Sequence, residues 1–256
     1  MENETSLVVK YEGVIWLGVH VALTWISYAQ YFLIILLDFI RIATRKLKLG
    51  NSNRSKILED AKLLSKVPKH IAIVVEAKSE LEDLGNVILW SIMLGIPYIT
   101  IHGQTELSHP STFEKLTKIC ERKKLEFQEN QIKINYHRDS RLIEGDHHGF
   151  NVMMSSIQYG RQRLVEVTRS LCQQVQQGML SPNEIDLNKM NESYGDLLPE
   201  PEFAISFSSY PCLHGLDPWK TRLTEIITLP SLSGISYPTY FSALNKFANM
   251  RQRFGK

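Results

Sequence analysis

The chain has 256 residues, 43% of them hydrophobic and 22% charged, with a formal net charge of +2. That is enough apolar material for one globular core, unlike a disordered or collagen-like chain, and the near balance of interspersed charges argues against a nucleic-acid partner. Cys120, Cys172 and Cys212 lie far apart without C-x-x-C spacing, which argues against a zinc site or a disulfide framework and fits a reducing compartment.

From Gly13 to Leu37 there is no Lys, Arg, Asp or Glu. As a helix this run is long enough to cross a hydrocarbon core of ~30 Å. The positive-inside bias sets its orientation, because Arg41, Arg45, Lys46 and Lys48 follow it while Glu2, Glu4 and Glu12 precede it with Lys10. The sequence thus predicts a short luminal N-terminus over 1–12, a transmembrane anchor over 13–40, a basic juxtamembrane linker over 41–59 and a cytosolic domain over 60–256. An amphipathic helix lying in the interface is the alternative. His20, Thr24, Ser27 and Gln30 would gather on one stripe, facing a second membrane helix or lipid headgroups, or simply tolerated within the anchor.

Beyond the linker, short apolar runs alternate with helical periodicity, which is the pattern of a parallel-sheet α/β domain. Strands are expected over 71–76, 98–103, 132–136, 151–157, 203–208 and 224–229. Helical segments cover 79–95, 111–127 and 160–178, and a last amphipathic helix over 239–256 ends in a basic tail. The run Glu121-Arg122-Lys123-Lys124 reads as an exposed helix end with its cations placed for the dipole. Ligands of open α/β sheets sit beyond the carboxyl ends of the strands, so the loops after Val75, His102 and Phe207 are where chemistry is expected. No Walker loop, nucleophile elbow or dinucleotide fingerprint occurs there. Asp146-His147-His148 reads as a solvated loop. His70 starts a strand, where a structural hydrogen bond is as plausible as ligand contact. His102 ends one without a partner acid or nucleophile.

Four stretches carry a resemblance: Pro68 to Ile73, Leu89 to Thr100, Pro199 to Ile205, and Arg251-Gln252-Arg253-Phe254-Gly255. In order and spacing they resemble the cis-prenyltransferases, enzymes that extend allylic diphosphates with isopentenyl diphosphate. The resemblance covers most of 60–256. It implies an α/β fold with a mostly parallel central sheet of about six strands flanked by helices.

The departures from the family pattern decide what the resemblance implies for function. Catalytic members read M-D-G-N-x-R after the first strand, where an Asp helps hold Mg²⁺ and the rest cradles phosphate; here the chain reads Val75-Glu76-Ala77-Lys78-Ser79-Glu80. Their second substrate loop, R-T-S-G-E-x-R-L-S, is replaced by Ser206-Phe207-Ser208-Ser209-Tyr210-Pro211-Cys212-Leu213-His214-Gly215. Both guanidinium forks are gone, and no neutral side chain reproduces their bidentate grip on phosphate. Glu76, Ala77, Lys78, Ser206 and Ser208 therefore mark a degenerate pocket, and the chain is expected to be inactive alone.

What survives is Arg253-Phe254-Gly255. An anchored N-terminus, an eroded pocket and a retained C-terminal R-x-G resemble the Nogo-B receptor-like accessory subunits of dehydrodolichyl diphosphate synthase. That resemblance implies a catalytic cis-prenyltransferase partner at the endoplasmic reticulum membrane, and a tail that crosses the subunit interface to contact the shared isopentenyl and allylic diphosphates. Arg253 would touch a diphosphate and the Gly255 N–H would donate to the same anion. It also implies Mg²⁺ in the partner's site rather than in this chain, and a product used for dolichol synthesis and protein glycosylation. The stretch from Trp219 to Ile227 resembles the family's interface region, which makes Trp219 and Phe241 candidate anchors there, or else core residues. Two other readings stand beside this one: a membrane receptor or scaffold that uses the fold only for protein binding, and a self-sufficient homodimeric enzyme with Glu76 as metal ligand.

Overall fold

A computed structural model describes residues 20, 21, 23–25, 27–30, 32, 54–76, 81–103, 109–138, 148–157, 160–195 and 198–251. The chain divides into two compact units, Met1–Asn51 and Ser52–Lys256. In the first, the described residues are helical and exposed. Thr24 Oγ1 donates to the His20 carbonyl (2.7 Å) and Ser27 Oγ to that of Leu23 (3.0 Å), so both hydroxyls are satisfied by their own helix. Most of the anchor expected over 13–40 lies outside the described residues, and among the described residues no helix is long and apolar enough to cross a membrane.

The second unit is built on a six-stranded sheet in the order β3-β4-β2-β1-β5-β6. Its strands are β1 (His70–Val75), β2 (Tyr98–Gly103), β3 (Ile134–His137), β4 (Phe150–Ser156), β5 (Phe203–Phe207) and β6 (Glu225–Leu229). Every pairing is parallel. The helices are α1 (Arg54–Leu63), α2 (Leu81–Met93), α3 (Pro110–Glu126), α4 (Arg161–Gln176), α5 (Leu187–Tyr194) and α6 (Tyr237–Asn249). All six expected strands form, with ends moved by a few residues. β1 lies at the centre and every one of its residues is buried, as a parallel strand covered on both faces requires. α1 begins within the stretch read as linker, and its Ile57 is completely buried and packs in the main core.

The pleat divides the central strands between two environments. Ile71, Ile73 and Val75 of β1, with Phe203, Ile205 and Phe207 of β5, join α2 and α6 in the main core. There Phe203 meets Phe247 at 4.9 Å between ring centroids, and Trp90 meets Tyr237 and Tyr240 at 5.6 and 5.8 Å. The buried Tyr240 hydroxyl is paired with Ser91 Oγ at 2.6 Å. Ala72 and Val74 of β1 and Ala204 of β5 belong to a separate small cluster with Leu216 and Leu213.

The basic run in α3 corrects one expectation. Lys123 is buried, not exposed, its stem lying against Gly85 of α2: a Cβ there would come within 2.7 Å of Ile119 and 3.3 Å of the Lys123 stem. Its ammonium reaches Glu82, 3.3 Å away, which Arg122 also contacts at 2.6 Å. A long cationic side chain buries its methylenes and keeps its charge at the rim, a placement that charge pattern alone does not reveal.

Candidate functional site

The chain runs outward from β1 to β2, β3 and β4 on one side and returns to place β5 and β6 on the other. Between β1 and β5 the direction of winding reverses, and a crevice for ligand lies beyond their carboxyl ends. The register pairs Val75 with Phe207, so Glu76 and Ser208 emerge side by side. Ser208 Oγ donates to Glu76 Oε1 at 3.2 Å. Two members of the degenerate pocket expected from sequence are thereby brought together.

The loop that follows β5 is held by hydrogen bonds at the carboxyl end of the sheet, the end at which ligands of such sheets bind. Ser206, fully buried, donates from Oγ to the carbonyl of Cys212. The Tyr210 N–H donates to Ser208 Oγ at 3.4 Å, and the Ser208 N–H to the Leu229 carbonyl at 2.9 Å. His102, at the end of β2, approaches the His214 carbonyl with Nε2 at 3.0 Å and Ser155 Oγ with Nδ1 at 3.2 Å. A carbonyl only accepts, so Nε2 carries the proton and Nδ1 accepts from the Ser155 hydroxyl. Burial lowers the His102 pKa to about 4 against the favourable pull of that carbonyl, so the ring is neutral near pH 7.

Farther along, the Arg161 N–H at the start of α4 donates to the Gly215 carbonyl at 3.0 Å. The backbones are so close that a Cβ on Gly160 would sit 2.0 Å from that oxygen. Gly215 itself has φ of +79°, where a side chain is strained. Leu213 and Leu216 complete the closure by packing on Ala72, Val74 and Ala204.

Chemically this assembly offers one carboxylate, hydroxyls and a neutral imidazole, and none of the side chains just described is cationic. A diphosphate is held by charge-assisted bonds and metal, and the side chains just described supply no such cation. Among the described residues the fit to a divalent cation is also poor. Glu76 already accepts from Ser208, and among the described residues no three His, Cys, Asp or Glu side chains converge as ligands. Ser156 Oγ and His214 Nε2 are buried without a hydrogen-bond partner.

The remaining expected residues are scattered. Ala77, Lys78, Arg253, Phe254 and Gly255 lie outside the described residues, as do Asp146 and His147. Trp219 is half-buried in a satellite cluster with Tyr194, Leu171 and Val167. Its ring stacks on Tyr194 (6.1 Å, 17°), its Nε1 donates to Asn191 at 3.0 Å, and the Arg222 guanidinium lies 4.3 Å over its face. Phe241 is half-buried and stacks on Tyr237 at 5.9 Å. Both therefore pack within the chain while keeping part of their surface open. β6 is an edge strand, and near it Leu223 is 56% and Ile226 44% exposed. His70 is structural: Nδ1 approaches the Pro199 carbonyl at 2.6 Å and Nε2 the Thr100 hydroxyl at 2.8 Å. Burial again brings its pKa down to about 4.

Sequence reasoning missed Ser155, Cys212, His214 and the Gly160–Gly215 contact. His214-Gly215 is a visible turn signal, but its partners are distant in the chain.

No protein-family model matches the chain. It is 26% identical over 219 residues to the human dehydrodolichyl diphosphate synthase complex subunit NUS1, covering 80% of this chain and 72% of that one. It is likewise 26% identical over 217 residues to the subunit nus1 of that complex from Schizosaccharomyces pombe, with coverage of 79% and 83%. Among solved structures, lavandulyl diphosphate synthase from Lavandula x intermedia superimposes with a TM-score of 0.54 at 19% identity, covering 74% of this chain and 99% of that one. The last comparison establishes the shared fold.

Proposed function

Because this chain is a relative of subunits of the dehydrodolichyl diphosphate synthase complex, we propose that it is a non-catalytic accessory subunit of such a complex. In this reading it binds and stabilises a catalytic cis-prenyltransferase and completes the partner's site with Arg253, Phe254 and Gly255. The observation that carries the non-catalytic half is the loop after β5. The hydroxyls of Ser206 and Ser208 are engaged by the chain's own Cys212 carbonyl and Glu76 carboxylate.

The partner surface in this proposal includes the β6 edge with Leu223 and Ile226, together with Trp219 and Phe241. An edge strand with exposed apolar side chains is a surface that soluble monomers avoid. The tail supplies a guanidinium and a backbone N–H, the two donors that stabilise a diphosphate while its charge develops. Mg²⁺, in the partner's site, would supply charge neutralisation for that diphosphate. The N-terminal run holds the complex at the endoplasmic reticulum membrane, where the polyprenyl product enters dolichol synthesis and protein glycosylation.

The test is incorporation of labelled isopentenyl diphosphate, with farnesyl diphosphate and Mg²⁺, by this chain alone, by the catalytic partner alone and by the co-purified pair. Efficient long-chain synthesis by the pair only is expected. Robust activity from this chain alone would overturn the non-catalytic reading, and no gain on pairing would leave the receptor or scaffold reading in its place. In the pair, Arg253→Ala is expected to lower activity on the order of a hundredfold while the subunits still co-purify.

A further inference from the structure

The connector between α1 and β1 grips the C-terminal end of α6. Ser65 Oγ donates to the Ala248 carbonyl at 2.9 Å, and Lys66 Nζ donates to the Met250 carbonyl at 3.3 Å, 184 residues away in sequence. The Lys66 ammonium also stands 4.3 Å from the centroid of the Phe247 ring, itself buried in the main core. Met250, the C-cap, turns to an extended conformation (φ −74°, ψ 134°), and its N–H donates to Phe247 O at 3.0 Å.

A helix leaves its last carbonyls without intrahelical partners, and something must satisfy them. The Met250 N–H and Ser65 do this for Phe247 and Ala248. Lys66 does something more: it takes a carbonyl beyond the helix, on the residue where the chain turns away, and its cation is favoured there by the helix dipole and the aromatic face. Capping alone does not call for that contact. It holds the residue at which the chain leaves α6, immediately before Arg251.

We propose that Ser65 and Lys66 are positioning residues for the C-terminal tail, holding its root so that Arg253 and Gly255 meet the diphosphate in the partner's site. This rests on the accessory-subunit reading given above. Arg253 follows Met250 by three residues, and misplacing a catalytic group by about 1 Å costs up to a hundredfold in rate. The same connector follows α1, so the segment that leads into the folded unit also sets the geometry of its exit.

The experiment uses the full chain co-purified with its catalytic partner. Ser65→Ala combined with Lys66→Met removes both donors but keeps the lysine stem's packing on Phe247. The kcat for isopentenyl diphosphate incorporation is expected to fall about tenfold or more, with co-purification and melting temperature retained. Lys66→Arg, which keeps a cation and N–H donors, should recover most of the rate. In an Arg253→Ala background the double substitution should add little, because a misplaced tail that lacks its guanidinium has little left to lose.

An unchanged kcat in the otherwise native pair, or an equal fold-loss in the Arg253→Ala background, would overturn the positioning role. If Arg253→Ala is itself silent, the tail reading fails and this inference falls with it. A damaging Arg253→Ala beside a silent clamp sinks the inference alone. Should the double variant fail to assemble, Ser65→Ala by itself supports the same comparison in both backgrounds.

Discussion

The two faces of the central sheet carry different tasks. Toward α2 and α6, β1 and β5 present Ile71, Ile73, Val75, Phe203, Ile205 and Phe207 in one continuous core with Trp90, Tyr240 and Phe247. Toward the loop after β5 the same strands present Ala72, Val74 and Ala204, which cluster with Leu213 and Leu216. Area scaling places most of the folding free energy on the first face. The second face is held by that small cluster, a few hydrogen bonds and one tight backbone contact.

The largest expected effect lies on the first face. Phe203→Ala removes a fully buried ring packed on Phe247 and should cost about 3–5 kcal/mol in denaturant unfolding. Next comes the seam of the second face. Gly160→Ala pushes a methyl group to 2.0 Å from the Gly215 carbonyl, where backbone rather than a flexible side chain must yield, and is expected to cost about 1–3 kcal/mol. Its signature should be faster proteolytic cleavage near the exposed Tyr210, while the Phe203 variant weakens the whole fold. If Gly160→Ala leaves both the melting temperature and the cleavage rate unchanged, the loop is not sealed as described.

Acid separates the two ends of the sheet. His70 and His102 have folded-state pKa values lowered to about 4 by burial, from an ordinary 6.5. Between those values the unfolded chain binds protons that the folded chain refuses, so stability is full above pH 6.5 and is lost as pH falls toward 4. Each ring contributes about 1.4 kcal/mol per pH unit at most within that window. His102→Gln should remove roughly half of the dependence and His70→Gln the other half, as read from urea midpoints across pH 4 to 7. A slope that survives both substitutions would assign it to other groups.

The smallest expected effect is that of Ser208→Ala, which breaks the bond to the exposed Glu76 and should cost about 1 kcal/mol or less. It sharpens the functional comparison nevertheless. With Ser208→Ala the chain alone should still fail to incorporate isopentenyl diphosphate, because removing a hydroxyl adds no cation to the crevice.

The sequence by itself determined the alternating strands and helices of a parallel-sheet domain and the absence of arginine from 75–80 and 207–215. These depend on residue type and on spacing within one segment, where a periodicity of two or of three to four and the presence of a guanidinium are local facts. Only the tertiary structure decided that Lys123 is buried, that Ile57 belongs to the core, that His102 bonds the His214 carbonyl, and that Gly160 must be small because Gly215 lies against it. It also joined Ser65 and Lys66 to the end of α6. Each of these is a contact between segments far apart in the chain, set by strand order and helix docking rather than by any run of neighbouring residues.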